Sequence, residues 1–237
     1  MARRLLHVTL GALALAACGD NGGTVDSGAP PRDAGPDATA AAPLVLFLDF
    51  DGATLTKGTN DPATDVSALI RPGGATVPPW REGAPGRAAS VAAVAADVAA
   101  LLADYNVDVV TTRPAAGPYD MVVFGGESSA LFGAAGIVSF GGQRCDGIPQ
   151  ISYVLELAID DADAASRAVG MVASNHFVPT TTTTGHCMCL GCGSTAGELC
   201  AIGGVEPVAD PGCAPDGPYP ATFDEHAWFL QRLGAHR

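Results

Sequence analysis

Three groups of residues in this chain have types and spacings that bear on chemistry. The first is His186-Cys187-Met188-Cys189-Leu190-Gly191-Cys192, four soft ligands packed into one short stretch. Such a packet either chelates zinc through thiolates and imidazole or, in an oxidising compartment, supplies disulfides. Cys145, Cys200 and Cys213 join Cys187, Cys189 and Cys192 to give an even number of cysteines besides Cys18, so every thiol has a partner available. The single residue between Cys187 and Cys189 differs from the usual C-x-x-C zinc knuckle, and disulfides are the expected outcome. The second group is Asp49-Phe50-Asp51-Gly52, two carboxylates at the end of an apolar run. Paired carboxylates there serve as nucleophile and general acid beside a divalent cation, or they close a strand–loop turn by accepting backbone N–H groups. The third group is the histidines. His176, after a helical stretch, is read as a capping or loop residue and, with His186, as a candidate metal ligand. His186 in a disulfide-rich loop is otherwise a solvated polar group. Neither H-E-x-x-H nor G-x-S-x-G occurs anywhere in the chain, so a two-histidine zinc helix and a nucleophile elbow are both missing.

These groups need a framework. Leu44-Val45-Leu46-Phe47-Leu48-Asp49-Phe50 is a continuous apolar run stopped by Asp51-Gly52, which predicts a buried strand. A long loop with Pro62, Pro72, Pro78 and Pro79 follows. Val91, Val94, Val98, Leu101, Leu102 and Tyr105 recur at helical spacing and predict an amphipathic helix over residues 88–105. Residues 107–112 and 121–124 read as strands, 136–140 as a short edge strand and 151–157 as a further strand. Residues 160–172 read as a second helix with acidic residues in its first turn, where the helix dipole favours them. A cysteine-rich loop region over 180–220 includes the five-threonine run Thr180–Thr184, expected to be exposed. A terminal helix over 223–233 ends at Gly234, with Trp228, Phe229 and Leu233 facing the core. Strands alternating with helices give an α/β layer fold in a single domain over 44–237.

The N-terminus carries a different message. Arg3 and Arg4 precede a short apolar run that ends Leu15-Ala16-Ala17-Cys18. This is the layout of a secretory signal over residues 1–17, and its last four residues resemble the lipobox of bacterial lipoproteins. The resemblance implies lipidation of Cys18, including palmitate-type acylation, and a mature chain that starts there. Gly19, in place of an aspartate, leans towards the outer membrane or cell surface rather than the inner membrane. Residues 18–43 are rich in Gly, Ala, Pro and Asp and cannot bury enough apolar surface to offset their ordering entropy, so they are a disordered tether. A tether of roughly 25 residues reaches about 25–30 Å from the membrane. The chain holds 12 Lys+Arg against 25 Asp+Glu, and removing Arg3 and Arg4 leaves 10 against 25. So acidic a surface repels phosphates, which excludes nucleic acid as a partner.

Two family resemblances bear on activity. Asp49-Phe50-Asp51-Gly52 is similar to the strand-borne aspartates of haloacid-dehalogenase-like phosphatases. That family's Asp-x-Asp-Gly-Thr is broken here by Ala53, Lys57 follows too closely to stand for its distant lysine, and Asp160-Asp161 is the only counterpart to its last motif. A broader resemblance covers nearly the whole domain. Residues 46–52, Tyr105 to Pro114 and Tyr119 to Gly126, with Cys187-Met188-Cys189 and Asp224-Glu225-His226-Ala227-Trp228 near the end, resemble a zincin-type lipoprotein family of myxobacteria-type bacteria. Its domains are metzincin-like. The resemblance implies a mixed sheet packed on two main helices, zinc ligands on the second helix, and a disulfide-rich C-terminal part.

That family's helix requires H-E-x-x-H-x-x-G-x-x-H, two imidazoles one turn apart with a glutamate as general base. In the gap-free frame, Ser166 and Gly170 stand for the first two histidines, Arg167 for the glutamate and Ala173 for the glycine; only His176 survives. Met188 falls where a Met-turn would lie. Serine and glycine do not ligate zinc as imidazoles do, and arginine cannot act as a base near neutral pH. The expectation is an anchored lipoprotein of the cell envelope whose metallopeptidase-like domain is a pseudoenzyme. It holds no cofactor and binds a protein or peptide or serves a structural role. Zinc enters only in the alternative of an atypical peptidase site at His176 and His186; a phosphatase is the second alternative.

Overall fold

The computed structural model describes residues 42–137, 139–141, 149–156, 158, 160–189, 195–209 and 219–236. Its first strand, β1, is Leu44–Asp49. A small region follows with β2 (Ala53–Lys57), β3 (Val66–Ser67) and β4 (Ala75–Val77). Helix α1 (Arg87–Leu101) leads to β5 (Val107–Val110) and β6 (Asp120–Phe124). Then come α2 (Ser128–Phe132), β7 (Ser139–Phe140), β8 (Ile151–Val154) and α3 (Asp161–Asn175). The C-terminal part holds β9 (Val205–Pro207), β10 (Thr222–Asp224) and α4 (Glu225–Leu233).

The central sheet has the order β5-β1-β6-β8-β7, with β5, β1, β6 and β8 parallel and β7 antiparallel at one edge. It is a mixed sheet because the short edge strand runs back against β8. Strand side chains alternate between two faces, and both faces are dry. Leu46, Leu48, Phe50, Val122, Phe124 and Val154 meet α1, α3 and α4 through Val94, Val98, Val169, Val172, Phe229 and Leu233. Phe47, Met121, Val123, Ile151 and Tyr153 face the other way, onto Leu55, Ile70, Val77 and Leu131. Burial on both faces explains why the sequence shows continuous apolar runs rather than alternation.

The principal strands and helices lie where the sequence places them, with ends shifted by a few residues. β5 stops at Val110 and α1 at Leu101, whereas α3 runs on to Asn175. The stretch after β1, expected to be a loop, instead folds into the three-stranded sheet β3-β2-β4 and covers the second face. Its strands are short and punctuated by prolines, so they carry little periodic signal. Gly52 allows the chain to turn at the end of β1: its φ is 83°, and a Cβ there would collide with the Val77 carbonyl oxygen. α2 follows soon after β6, and Leu131 on it is fully buried.

The cysteine-rich part contains a two-stranded ribbon, β9 against β10, and the disulfide Cys187–Cys200 with its Cα atoms 4.9 Å apart. Cys189 is disulfide-bonded as well. Closing a loop with a sequence separation of 13 contributes about 3 kcal/mol by restricting the unfolded chain. Cys145, Cys192 and Cys213 lie outside the described residues, as do Cys18, the expected signal over 1–17 and most of the expected tether over 18–43. No helix among the described residues is long and apolar enough to cross a membrane.

Candidate functional site

Helix α3 carries the positions on which the question of catalysis turns. Asp160 caps it, its carboxylate accepting from Asp163 N at 2.8 Å, and Asp161 and Asp163 occupy the first turn. At the other end Val178 N donates to Ala173 O at 3.0 Å and Phe177 N to Ser174 O at 3.1 Å, with Phe177 at φ 66°. This is a Schellman termination with a phenylalanine in the left-handed position that usually falls to glycine. His176 is the C-cap residue, as its place after a helix suggested.

The helix therefore does not break at Ala173, which is fully buried inside it. The consequence is geometric. At the rise and twist of an α-helix, position 176 lies about 9 Å along the axis from position 170 and about 120° round it. Positions 166 and 170 share one face, since four residues bring the helix to within about 40° of a full turn. In the resembled motif a glycine turn returns the third histidine to that face; here no turn intervenes.

Each residue in the frame is occupied by its own fold. Arg167 Nε sits 2.8 Å from Asp163 Oδ1, an ion pair one turn apart, and the Asp163 side chain has no exposed surface. Ser166 Oγ accepts the backbone N–H of Cys200 at 2.9 Å, docking the disulfide onto α3. Gly170 is buried within the helix. His176 Nε2 lies 2.8 Å from Asp120 Oδ2, and the other Asp120 oxygen accepts from Gln150 N at 2.9 Å. The carboxylate fixes the ring with Nε2 as donor.

His186 departs from the expectation of a solvated group. Its Nδ1 lies 2.8 Å from Glu225 Oε2 and its Nε2 3.2 Å from Glu206 Oε1, with the imidazole only 18% exposed. Both ring nitrogens are thus taken, and Cys187 and Cys189 are disulfide sulfurs rather than thiolates. Met188, proposed for a Met-turn, is fully buried in the helix-side core. His176 and His186 serve different partners on different elements, and among the described residues no group of three or more His, Cys, Asp or Glu is arranged to hold a metal.

The carboxylates after β1 also do structural work. Asp49 Oδ1 accepts from Asp51 N at 3.0 Å, the turn-closing bond considered above, and Asp49 is 4% exposed. Burial pushes the Asp49 carboxyl above its ordinary range, while the Asp51 N–H and the Arg113 guanidinium pull the other way. Asp51 pairs with Arg87 at 2.9 Å. Lys57 donates to the Ala68 carbonyl just after β3, and Asp161 binds Arg81 at 2.6 Å and Ser90 at 2.6 Å. The phosphatase-like residues thus have separate partners.

Sequence reasoning assigned no side-chain partner to Glu206, Glu225, Asp120 or Asp163. A glutamate with no exposed surface at the first residue of a helix gives no sequence signal beyond the helix start itself. No protein-family model, curated protein or solved structure shows a significant match to this chain.

Proposed function

We propose that this protein is an exported lipoprotein, anchored through Cys18 at the outer membrane or cell surface, whose metzincin-like domain has lost catalysis. It acts by binding a protein or peptide or in a structural role. The mixed sheet packed on the two long helices α1 and α3, with the frame from Ser166 to His176 on the second, supports the metzincin-like part of this reading. The observation that carries the loss of catalysis is the unbroken path of α3 through Ala173 to Asn175. A functional site needs three protein ligands converging on one zinc, and a continuous helix takes His176 away from the face of 166 and 170.

Calorimetric titration of zinc into the purified full-length protein tests this reading. The expected affinity is no better than about micromolar, since a structural or catalytic zinc requires several converging ligands. Nanomolar binding at one-to-one stoichiometry, lost in His176→Ala, would refute it.

A further inference from the structure

We infer that Glu206, His186 and Glu225 form a proton-dependent latch that holds the cysteine-rich segment to α4 at acidic pH and loosens as pH rises. Three parts of the chain meet at this point. His186 comes from the segment after α3, Glu206 from β9 and Glu225 from the first residue of α4. The Glu206 and Glu225 side chains are 10% and 0% exposed. Glu225 also accepts from Met188 N at 3.1 Å through Oε1 and from Gly203 N at 3.1 Å through Oε2, so it gathers both limbs of the disulfide loop. Glu206 Oε2 accepts from the Thr181 hydroxyl at 3.4 Å.

Proton counting gives the direction. A neutral imidazole has one N–H and one lone pair, so it donates to only one of two facing carboxylates. The other contact then sets a lone pair against a carboxylate oxygen in a buried setting, where an unmet polar contact is costly. The arrangement is satisfied when two protons are shared among the three groups. On α4, Glu225 is flanked by Asp224 and His226; on β9 the facing group is Glu206; before His186 it is the neutral Thr181 hydroxyl. Beyond α1 stands Tyr105, hydrogen-bonded to His226 Nδ1 at 2.7 Å, whose own proton is held more tightly through burial and then through Asp104, Glu225 and Asp224.

Burial raises the Glu225 carboxyl above its ordinary value, more than the His186, Gly203 and Met188 hydrogen bonds lower it. A group raised in the folded state contributes stability that is complete below its unfolded value and lost as pH rises through the folded one. For Glu225 that window opens at the ordinary carboxylate range and extends upward.

The experiment is amide hydrogen exchange on the full-length protein in mild detergent at about pH 5.5 and pH 8, corrected for base catalysis, and read at Met188 and Gly203. Protection at both amides is expected to fall severalfold at the higher pH, while Val122 and Val123 in β6 hold theirs. In Glu206→Gln the side-chain amide can donate to a bare Nε2 or accept from a protonated one, so the fall should shrink to within about twofold. Protection that does not change with pH, or an equal fall in Glu206→Gln, would overturn the latch. A second readout applies even if that variant does not fold. In the unmodified protein the loss of protection at Met188 and Gly203 should be local and should reverse on return to about pH 5.5, and a loss that extends to Val122 and Val123 would overturn the latch equally.

Discussion

Replacing Arg167 by Glu is expected to destabilise the domain by about 3–5 kcal/mol, the cost of breaking a buried ion pair and leaving an uncompensated charge. The resembled motif asks for a glutamate at this position, so the substitution restores the nominal catalytic base. In this fold the new carboxylate would lie one helical turn from Asp163, whose side chain is fully buried. Like charges four residues apart on a helix repel, and burial strengthens the repulsion. Denaturant unfolding monitored by circular dichroism would read the loss. The double variant Asp163→Leu with Arg167→Met should cost far less, since replacing a buried pair by apolar groups of similar volume is often close to neutral. If Arg167→Glu proved as stable as the parent to within about 0.5 kcal/mol, the range of ordinary surface substitutions, Arg167 would face an open cleft and the helix would still have room for a site.

The second large effect concerns the anchor. Cys18→Ala is expected to move the mature protein almost entirely from the detergent-dependent membrane fraction to the soluble periplasmic or culture fraction. Each buried methylene of an acyl chain contributes about 0.8 kcal/mol, and two or more chains hold a protein stably where one does so only marginally. Among the described residues no helix offers a substitute span. Fractionation followed by immunoblotting measures the shift, and a mutant that still required detergent would show that something other than Cys18 holds the protein to the membrane.

How far the fold could be read from the sequence follows from burial. β1, β6 and β8 were legible because a strand covered on both faces is built mainly from apolar residues, as Leu46 to Leu48 and Met121 to Phe124 are. α1 was legible from Val91, Val94 and Val98 at helical spacing, although its outer surface is mostly exposed alanine. The small sheet β3-β2-β4 was not, because it is built from strands of two to five residues whose pairing depends on tertiary contact with Phe47 and Tyr153. The threonine run shows the same limit. Thr181 looked like part of an exposed loop, yet it is 3% exposed, its hydroxyl bonded to Glu206.

At the candidate site, the sequence was informative about what is missing and silent about what replaced it. The absence of H-E-x-x-H could be read directly, as could the placement of His176 at a helix end. The partners could not. Asp120 pairs with His176 across 56 positions, and Glu225 with His186 across 39. No local pattern encodes contacts at such separations. His186 illustrates the difficulty: beside Cys187 it suggests a zinc ligand or a solvated loop residue, and only the docking of α4 brings Glu225 to its Nδ1. The helix end at Phe177 was hidden for a local reason, since the left-handed C-terminal position usually announces itself with a glycine.

Proteolysis tests the loss of catalysis most directly. Purified full-length protein, supplied with zinc and incubated with a casein-type substrate, is expected to release no peptide above the protein-free blank and to be indifferent to a chelator. Two imidazoles and the general base are absent from the frame, and α3 carries the remaining histidine to a C-cap held by Asp120. Cleavage that stops on adding the chelator, and that His176→Ala abolishes, would contradict this account.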